Sequence, residues 1–138
     1  MTHNTEYMAD EGYALIGAAF EVHRELGGGL SEEIYQESIE IELGMRNIPF
    51  KSKDELRVFY KQQPLNKRYI PDLTVSGEII TELKAAKELT HEHHRQLINY
   101  MRVTEKAVGY LINFGPTDQL EWKRFILRDF IPIEHQRL

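Results

Sequence analysis

The 138-residue chain contains no cysteine, which excludes disulfides, thiolate nucleophiles and Cys-ligated zinc together. Any metal it binds has to take oxygen or imidazole ligands. No apolar run approaches the roughly 18 residues that a membrane-spanning helix needs. The amino terminus, MTHNTEYMADEG, has neither a basic start nor an apolar signal core. A cytoplasmic protein without a membrane partner is expected. Neither a repeat nor a Pro/Ser-rich tract is visible, and 41% hydrophobic with 28% charged residues is ordinary globular composition. Residues 1–138 are therefore expected to form one domain around one core.

A surplus of positive charge is also missing: the formal charge is −5. Phosphate contacts come mainly from Lys and Arg, so the total argues against a nucleic-acid partner. The two halves differ, however. Residues 1–55 hold 12 acids and 4 Lys/Arg, which is 4 − 12 = −8, whereas residues 56–138 hold 10 acids and 13 Lys/Arg, which is 13 − 10 = +3. Carboxylates that bind a divalent cation are partly neutralised by it, so the bare charge understates what a phosphate would meet.

Two familiar sites are absent as well. Gly27-Gly28-Gly29 precedes a helix, but it has no strand before it and no Lys-Ser/Thr after it, so a nucleotide-binding loop is not expected. The glycines suit a tight corner that fixes Glu32. His91-Glu92-His93-His94 lacks the four-residue histidine spacing of a helical zinc motif. His93 stays a candidate for contact with the site or with phosphate, since it lies three residues before Gln96.

The pattern of apolar residues gives the elements. Leu15, Ile16, Ala19, Phe20, His23 and Leu26 recur at helical steps from about Met8 to Leu26, and Gly27 to Gly29 end the helix. Ser31 suits the N-cap of a second helix to about Arg46, with Ile34, Tyr35, Ile39 and Leu43 on one face. The period then becomes two. Leu56 to Lys61 alternates, Gln63-Pro64-Leu65-Asn66 reads as a turn, and a second strand is expected from Arg68 to Val75. Ser76-Gly77 turns it into a third from about Ile79 to Ala85. A helix from Leu89 to Val103 with Thr90 as N-cap, a buried strand from Ala107 to Phe114 and an edge strand from Glu121 to Leu127 complete the order. Together they predict an α/β sandwich with one mixed sheet.

The chemistry is carried by few residues. Side chains alternate along a strand, so Glu82 and Lys84 share a face with Ile80. On the preceding strand Asp72 shares a face with Ile70 and Thr74, opposite Tyr69, Leu73 and Val75. A hairpin can bring Asp72 to Glu82, although the turn alone does not fix the register. Two converging carboxylates suit an oxygen-liganded Mg²⁺ with open positions for water and phosphate, and a lysine nearby can orient the water. An isolated D…E-x-K is otherwise a set of exposed strand charges. Here Ile79, Ile80, Leu83, Ala85 and Ala86 surround the charges with apolar residues, and Pro71 limits the strand.

Pro71-Asp72, nine intervening residues and Glu82-Leu83-Lys84 resemble the PD-(D/E)XK nuclease signature. Gly29-Leu30-Ser31-Glu32-Glu33-Ile34-Tyr35 reads as G-x-x-E-x-x-Y, so from Ile16 to Gly115 the chain resembles the bacterial GxxExxY family of that superfamily. The resemblance implies a restriction-endonuclease-like core of helix, three strands, helix and strand behind an extra N-terminal helix. It implies a divalent-metal site at Asp72 and Glu82 with Lys84 beside it, and Glu32 as a further metal holder from the helix. Glu32, Tyr35, Ile39 and Leu43 lie at helical offsets, so Glu32 is expected on the inward stripe. Gln96 and Tyr100 match the Q-x-x-x-Y element of RecB-type members, whose residues support the metal or touch the nucleic-acid backbone.

The reading is a Mg²⁺- or Mn²⁺-dependent nuclease acting on nucleic acid, most readily DNA. Its alternative is a catalytically silent nuclease-fold module that binds nucleic acid or a protein. Hydrolysis of another phosphate ester uses the same metal logic. A homodimer would let so small a domain act on two strands.

Overall fold

The computed structural model describes residues 6–136. Residues 1–5, read above as part of a terminus without a signal core, and residues 137–138 lie outside the described part, as do these ends of the expected 1–138 domain. Helices α1 (Ala9–Leu26) and α2 (Glu32–Met45) come first, followed by strands β1 (Phe50–Ser52), β2 (Leu56–Tyr60), β3 (Gln63–Tyr69), β4 (Leu73–Val75) and β5 (Ile79–Lys84). Helix α3 (His91–Thr104), strands β6 (Val108–Asn113) and β7 (Glu121–Ile126) and two single-turn 3₁₀ helices complete the order.

Five strands form one sheet in the order β1-β4-β5-β6-β7, while β2 and β3 pair as a separate ribbon. Among the described strands of this sheet, only β5 and β6 run parallel. Parallel neighbours need a long crossover, and α3 supplies it. The restriction-endonuclease-like sandwich is thus present, with a mixed central sheet flanked by helices.

Each face of the sheet has its own core. Leu73, Val75, Ile79, Leu83, Tyr110 and Ile112 pack against Leu15, Ala19, Tyr35, Ile39 and Leu43 of α1 and α2. On the other face Ile80 and Leu111 pack with Tyr69 of the ribbon and with Leu97 and Met101 of α3. Gly109 permits the closeness of α3: a Cβ there would stand 2.6 Å from the Met101 sulfur. That is well inside van der Waals contact.

Several sequence readings are corrected. The turn lies at Lys61-Gln62, not at Gln63 to Asn66, and both residues have positive φ, 47° and 67°. The strand expected from Arg68 to Val75 is two strands in different sheets, and β1 was not anticipated. Pro71 has no N–H to donate to a ladder, so the chain crosses between sheets at Ile70-Pro71-Asp72. Tyr69 consequently faces α3, opposite to Leu73 and Val75. On α1 the buried stripe runs through Leu15, Ala18, Ala19 and Val22, whereas Phe20 and Leu26 are exposed. Ile34 is also exposed.

Candidate active site

Asp72 and Glu82 meet because of register. Leu73 pairs with Thr81 and Thr74 with Ile80, so one residue further Asp72 stands opposite Glu82. The side chains are knitted to the backbone. The Asp72 N–H donates to Glu82 Oε1 at 3.0 Å, and the Leu83 N–H donates to Asp72 Oδ2 at 2.8 Å. Each carboxylate is thereby held by a backbone group of the other's strand segment.

Three further side chains complete the frame. Tyr69 donates its hydroxyl to Glu82 Oε2 at 2.6 Å, and its ring stacks on Tyr100 with centroids 3.9 Å apart. Lys53 donates to Asp72 Oδ1 at 2.6 Å. Gln36 on α2 donates to the Asp72 carbonyl at 3.0 Å and to Glu40 at 2.6 Å, tying the helix to this end of the sheet. Lys53, Tyr69 and Gln36 are not visible as site residues in sequence. None lies in the short motif, and the break at Pro71 that turns Tyr69 toward Glu82 is the one local signal.

Burial dominates the electrostatics. It raises the Glu82 carboxyl from its ordinary 4.5 to about 7, with the Asp72 charge adding to the rise while the Tyr69 and Asp72 N–H hydrogen bonds oppose it. Burial, then the neighbouring Glu82 charge, also pushes the Tyr69 phenol up. Lys53 is raised by its hydrogen bond to Asp72. Two adjacent carboxylates with one partly exposed ammonium form a centre short of positive charge.

Lys84 lies two residues along β5 from Glu82 on the same face, half-buried, and makes no ion pair among the described residues. The chain beyond it is clamped by Asn113. This fully buried amide accepts from the Ala86 and Gly115 N–H groups at 2.9 and 3.1 Å and donates to the Ala86 carbonyl at 3.0 Å and to Glu121 at 2.9 Å.

Glu32 is the first residue of α2 and is exposed, a correction to its expected place on the inward stripe; Tyr35, Ile39 and Leu43 do lie inward. The first turn of α2 projects past the sheet, where Glu32 lines a groove of about 240 Å³ with Gln36, Lys53, Asp72 and Leu83. Among the described residues no three His, Asp or Glu side chains are gathered closely enough to hold an ion by themselves. A larger cavity of about 440 Å³ sits between the chain ends beside Tyr7, Arg128 and His135. Glu6 and Asp129 also line it, and it shares no residue with the Asp72–Glu82 site.

Tyr35 shows what the last letter of G-x-x-E-x-x-Y does. It is fully buried, stacks on Phe114 at 4.7 Å, donates to the Gly27 carbonyl at 2.6 Å and accepts from the Leu30 N–H at 3.2 Å. It pins the glycine corner from which α2 starts. Gln96 is exposed on α3 one turn before Tyr100. His93, expected as a contact to the site or phosphate, is instead a cap: its Nδ1 accepts from the Thr90 N–H at 3.1 Å while its own N–H donates to Thr90 Oγ1 at 3.2 Å. Reciprocal capping satisfies two otherwise orphaned donors, which outweighs a solvent-facing imidazole.

The PD-(D/E)XK nuclease superfamily profile matches residues 9–125. The chain belongs to that superfamily, a class of nucleases that generally uses divalent metals. It is similar in fold to a solved protein, SSO0001, with 21% identity and a TM-score of 0.51 over 68% of this chain and 48% of that one. The chain thus spans about half of that protein's length. No curated protein matches. Among the described residues, no helix is long and apolar enough to cross a membrane.

Proposed function

We propose that this protein is a Mg²⁺- or Mn²⁺-dependent nuclease of the GxxExxY type, acting in the cytoplasm on phosphodiester bonds of DNA. The observation that carries the reading is the Asp72–Glu82 pair, partly buried and short of positive charge, with Lys84 on the same strand face. The donor set suits Mg²⁺. That ion keeps several waters and takes one or two carboxylates plus substrate phosphate rather than an all-protein cage. Asp72 and Glu82 would hold it, and Glu32, at the rim of the groove that Asp72 lines, would bind one of its waters. When bound, such an ion supplies Lewis-acid polarisation of the phosphate and makes the attacking water more acidic.

The chain's own side chains do the rest. Lys84 orients the attacking water and offsets the negative charge that gathers as its oxygen bonds to phosphorus and the bond to the leaving oxygen breaks. Tyr100 fixes Tyr69 by stacking, and Tyr69 fixes one Glu82 oxygen by its hydrogen bond. Gln96, exposed one turn away, presents amide donors to the phosphate backbone.

A second reading rests on Lys53. Its ammonium satisfies Asp72 without any metal, as expected of a silent module that binds nucleic acid or a protein. Cleavage decides between them. Labelled single-stranded, duplex and branched DNA and RNA are incubated with purified protein in Mg²⁺, Mn²⁺ or EDTA, beside Glu82→Ala and Lys84→Ala. The nuclease reading expects metal-dependent cleavage of DNA that both variants lose. Survival of every substrate, or equal activity in the variants, contradicts it. A homodimer would set two such sites on a duplex, which analytical ultracentrifugation tests.

A further inference from the structure

The β2–β3 ribbon is unlike the rest of the molecule. Residues 56–70 contain Arg57, Lys61, Lys67 and Arg68 and no acid, so this segment carries +4 and the remaining 123 residues −9 within a total of −5. None of these four cations makes an ion pair among the described residues. Arg57 and Arg68 are cross-strand partners. Like charges placed directly opposite each other destabilise a ladder. The buried Arg68 Nε has no hydrogen-bond partner.

The shape fits the charge. Leu56 and Val58 anchor the ribbon on α3 with Tyr69, and side-chain alternation turns Arg57 and Arg68 to the opposite face. The two-residue turn Lys61-Gln62 has both residues in the left-handed region. Asn-Gly adopts that turn with far less strain. Two long polar side chains are therefore held at the tip against backbone preference, beside an exposed Tyr60. The root of the ribbon is the candidate site itself: Lys53 and Asp72 flank the segment and are bonded to each other, and Tyr69 at the end of β3 holds Glu82.

We propose that the β2–β3 ribbon is the arm by which this protein binds the backbone of duplex DNA beside the candidate active site. The proposal rests on the nuclease reading. Phosphate is the complement of four cations that pair with no carboxylate among the described residues, Arg57 donating only to the Leu65 carbonyl and Lys61 lying over the Tyr60 ring, and a two-stranded ribbon is narrow enough to enter the major groove. A five-residue strand extends about 16 Å. That length spans about five phosphates of one DNA strand along the helix axis, enough to engage the four cations.

Anisotropy of a labelled DNA duplex and of its single strand, in EDTA and across roughly 50 to 200 mM salt, tests this without turnover. Four lost phosphate contacts lower the slope of log affinity against log salt by about 3.6. Such a loss is expected for the combined Arg57→Gln, Lys61→Gln, Lys67→Gln and Arg68→Gln variant. Removing four cations elsewhere, with Arg24→Gln, Arg46→Gln, Lys106→Gln and Arg128→Gln, is expected to alter the slope by less than half as much. A variant carrying Lys61→Asn and Gln62→Gly is expected to melt higher yet bind more weakly, which a folding defect cannot produce. An unchanged slope in the quadruple ribbon variant, single strand bound as tightly as duplex, or no duplex binding by the native protein overturns the arm. Cleavage with an unchanged slope overturns the arm and leaves the nuclease reading standing. Ribbon-dependent binding without metal-dependent cleavage supports the arm and removes the nuclease reading.

Discussion

Replacing Glu82 by glutamine is expected to stabilise the metal-free protein above neutral pH while abolishing metal-dependent cleavage. Burial lifts the Glu82 carboxyl from 4.5 to about 7. The folded chain therefore holds this proton more tightly than the unfolded chain does. Stability is fully present below about pH 4.5, is lost progressively as pH rises toward 7, and stays at the lower level above that. At 1.36 kcal/mol per pKa unit the loss is about 3 kcal/mol. Glutamine keeps an acceptor for the Asp72 N–H but offers an NH₂ to Tyr69, whose hydroxyl has to turn and accept, returning about 1 kcal/mol of the gain. The net gain is about 2 kcal/mol at pH 8 and near zero at pH 5. For a domain of this size that raises the melting temperature by about 8 °C at the higher pH. Thermal unfolding by circular dichroism in EDTA at both pH values reads it. A variant destabilised equally at pH 5 and pH 8 would refute the reasoning, because Glu82 would then carry no charge penalty for a cation to relieve.

Lys84→Ala is expected to slow cleavage about 10²- to 10⁴-fold while changing stability by less than about 0.5 kcal/mol, since no ion pair of Lys84 is lost. Single-turnover rates and urea melts separate the two. Asn113→Leu leaves the Ala86 and Gly115 N–H groups and the Ala86 carbonyl without their side-chain partner, at about 1–3 kcal/mol for each group left unsatisfied. Urea denaturation is expected to show a loss of at least about 3 kcal/mol. Thr90→Ala removes the cap of α3 and is expected to cost about 1 kcal/mol, read as a lower urea midpoint without loss of cleavage.

What the sequence made legible was whatever depends on local period and short spacing. Strand β5 shows the alternation that sets Glu82 and Lys84 on one face, and Thr90 marks the start of α3 by its cap. The register that sets Asp72 opposite Glu82 is a property of strand pairing and was not readable from Ser76-Gly77. Lys53 and Tyr69 escaped for another reason. They reach the carboxylates because the chain leaves the main sheet after β1, forms the ribbon and rejoins the main sheet as β4 after Pro71, a long-range path that no local pattern encodes. His93 misled because a histidine near a suspected site and a histidine that caps a helix look alike in a string of letters.

The central claim is that Asp72 and Glu82 are built to hold a divalent cation. Calorimetric titration of the native protein with Mn²⁺ at pH 8 tests it most directly, alongside Asp72→Asn and Glu82→Gln. The account predicts binding at millimolar metal or below with almost no proton release at pH 8, proton release and weakening as pH falls through 7 toward 5.5 because Glu82 takes up its proton, and loss of binding in both variants. No heat of binding at millimolar Mn²⁺, or binding unchanged in both variants, would contradict it.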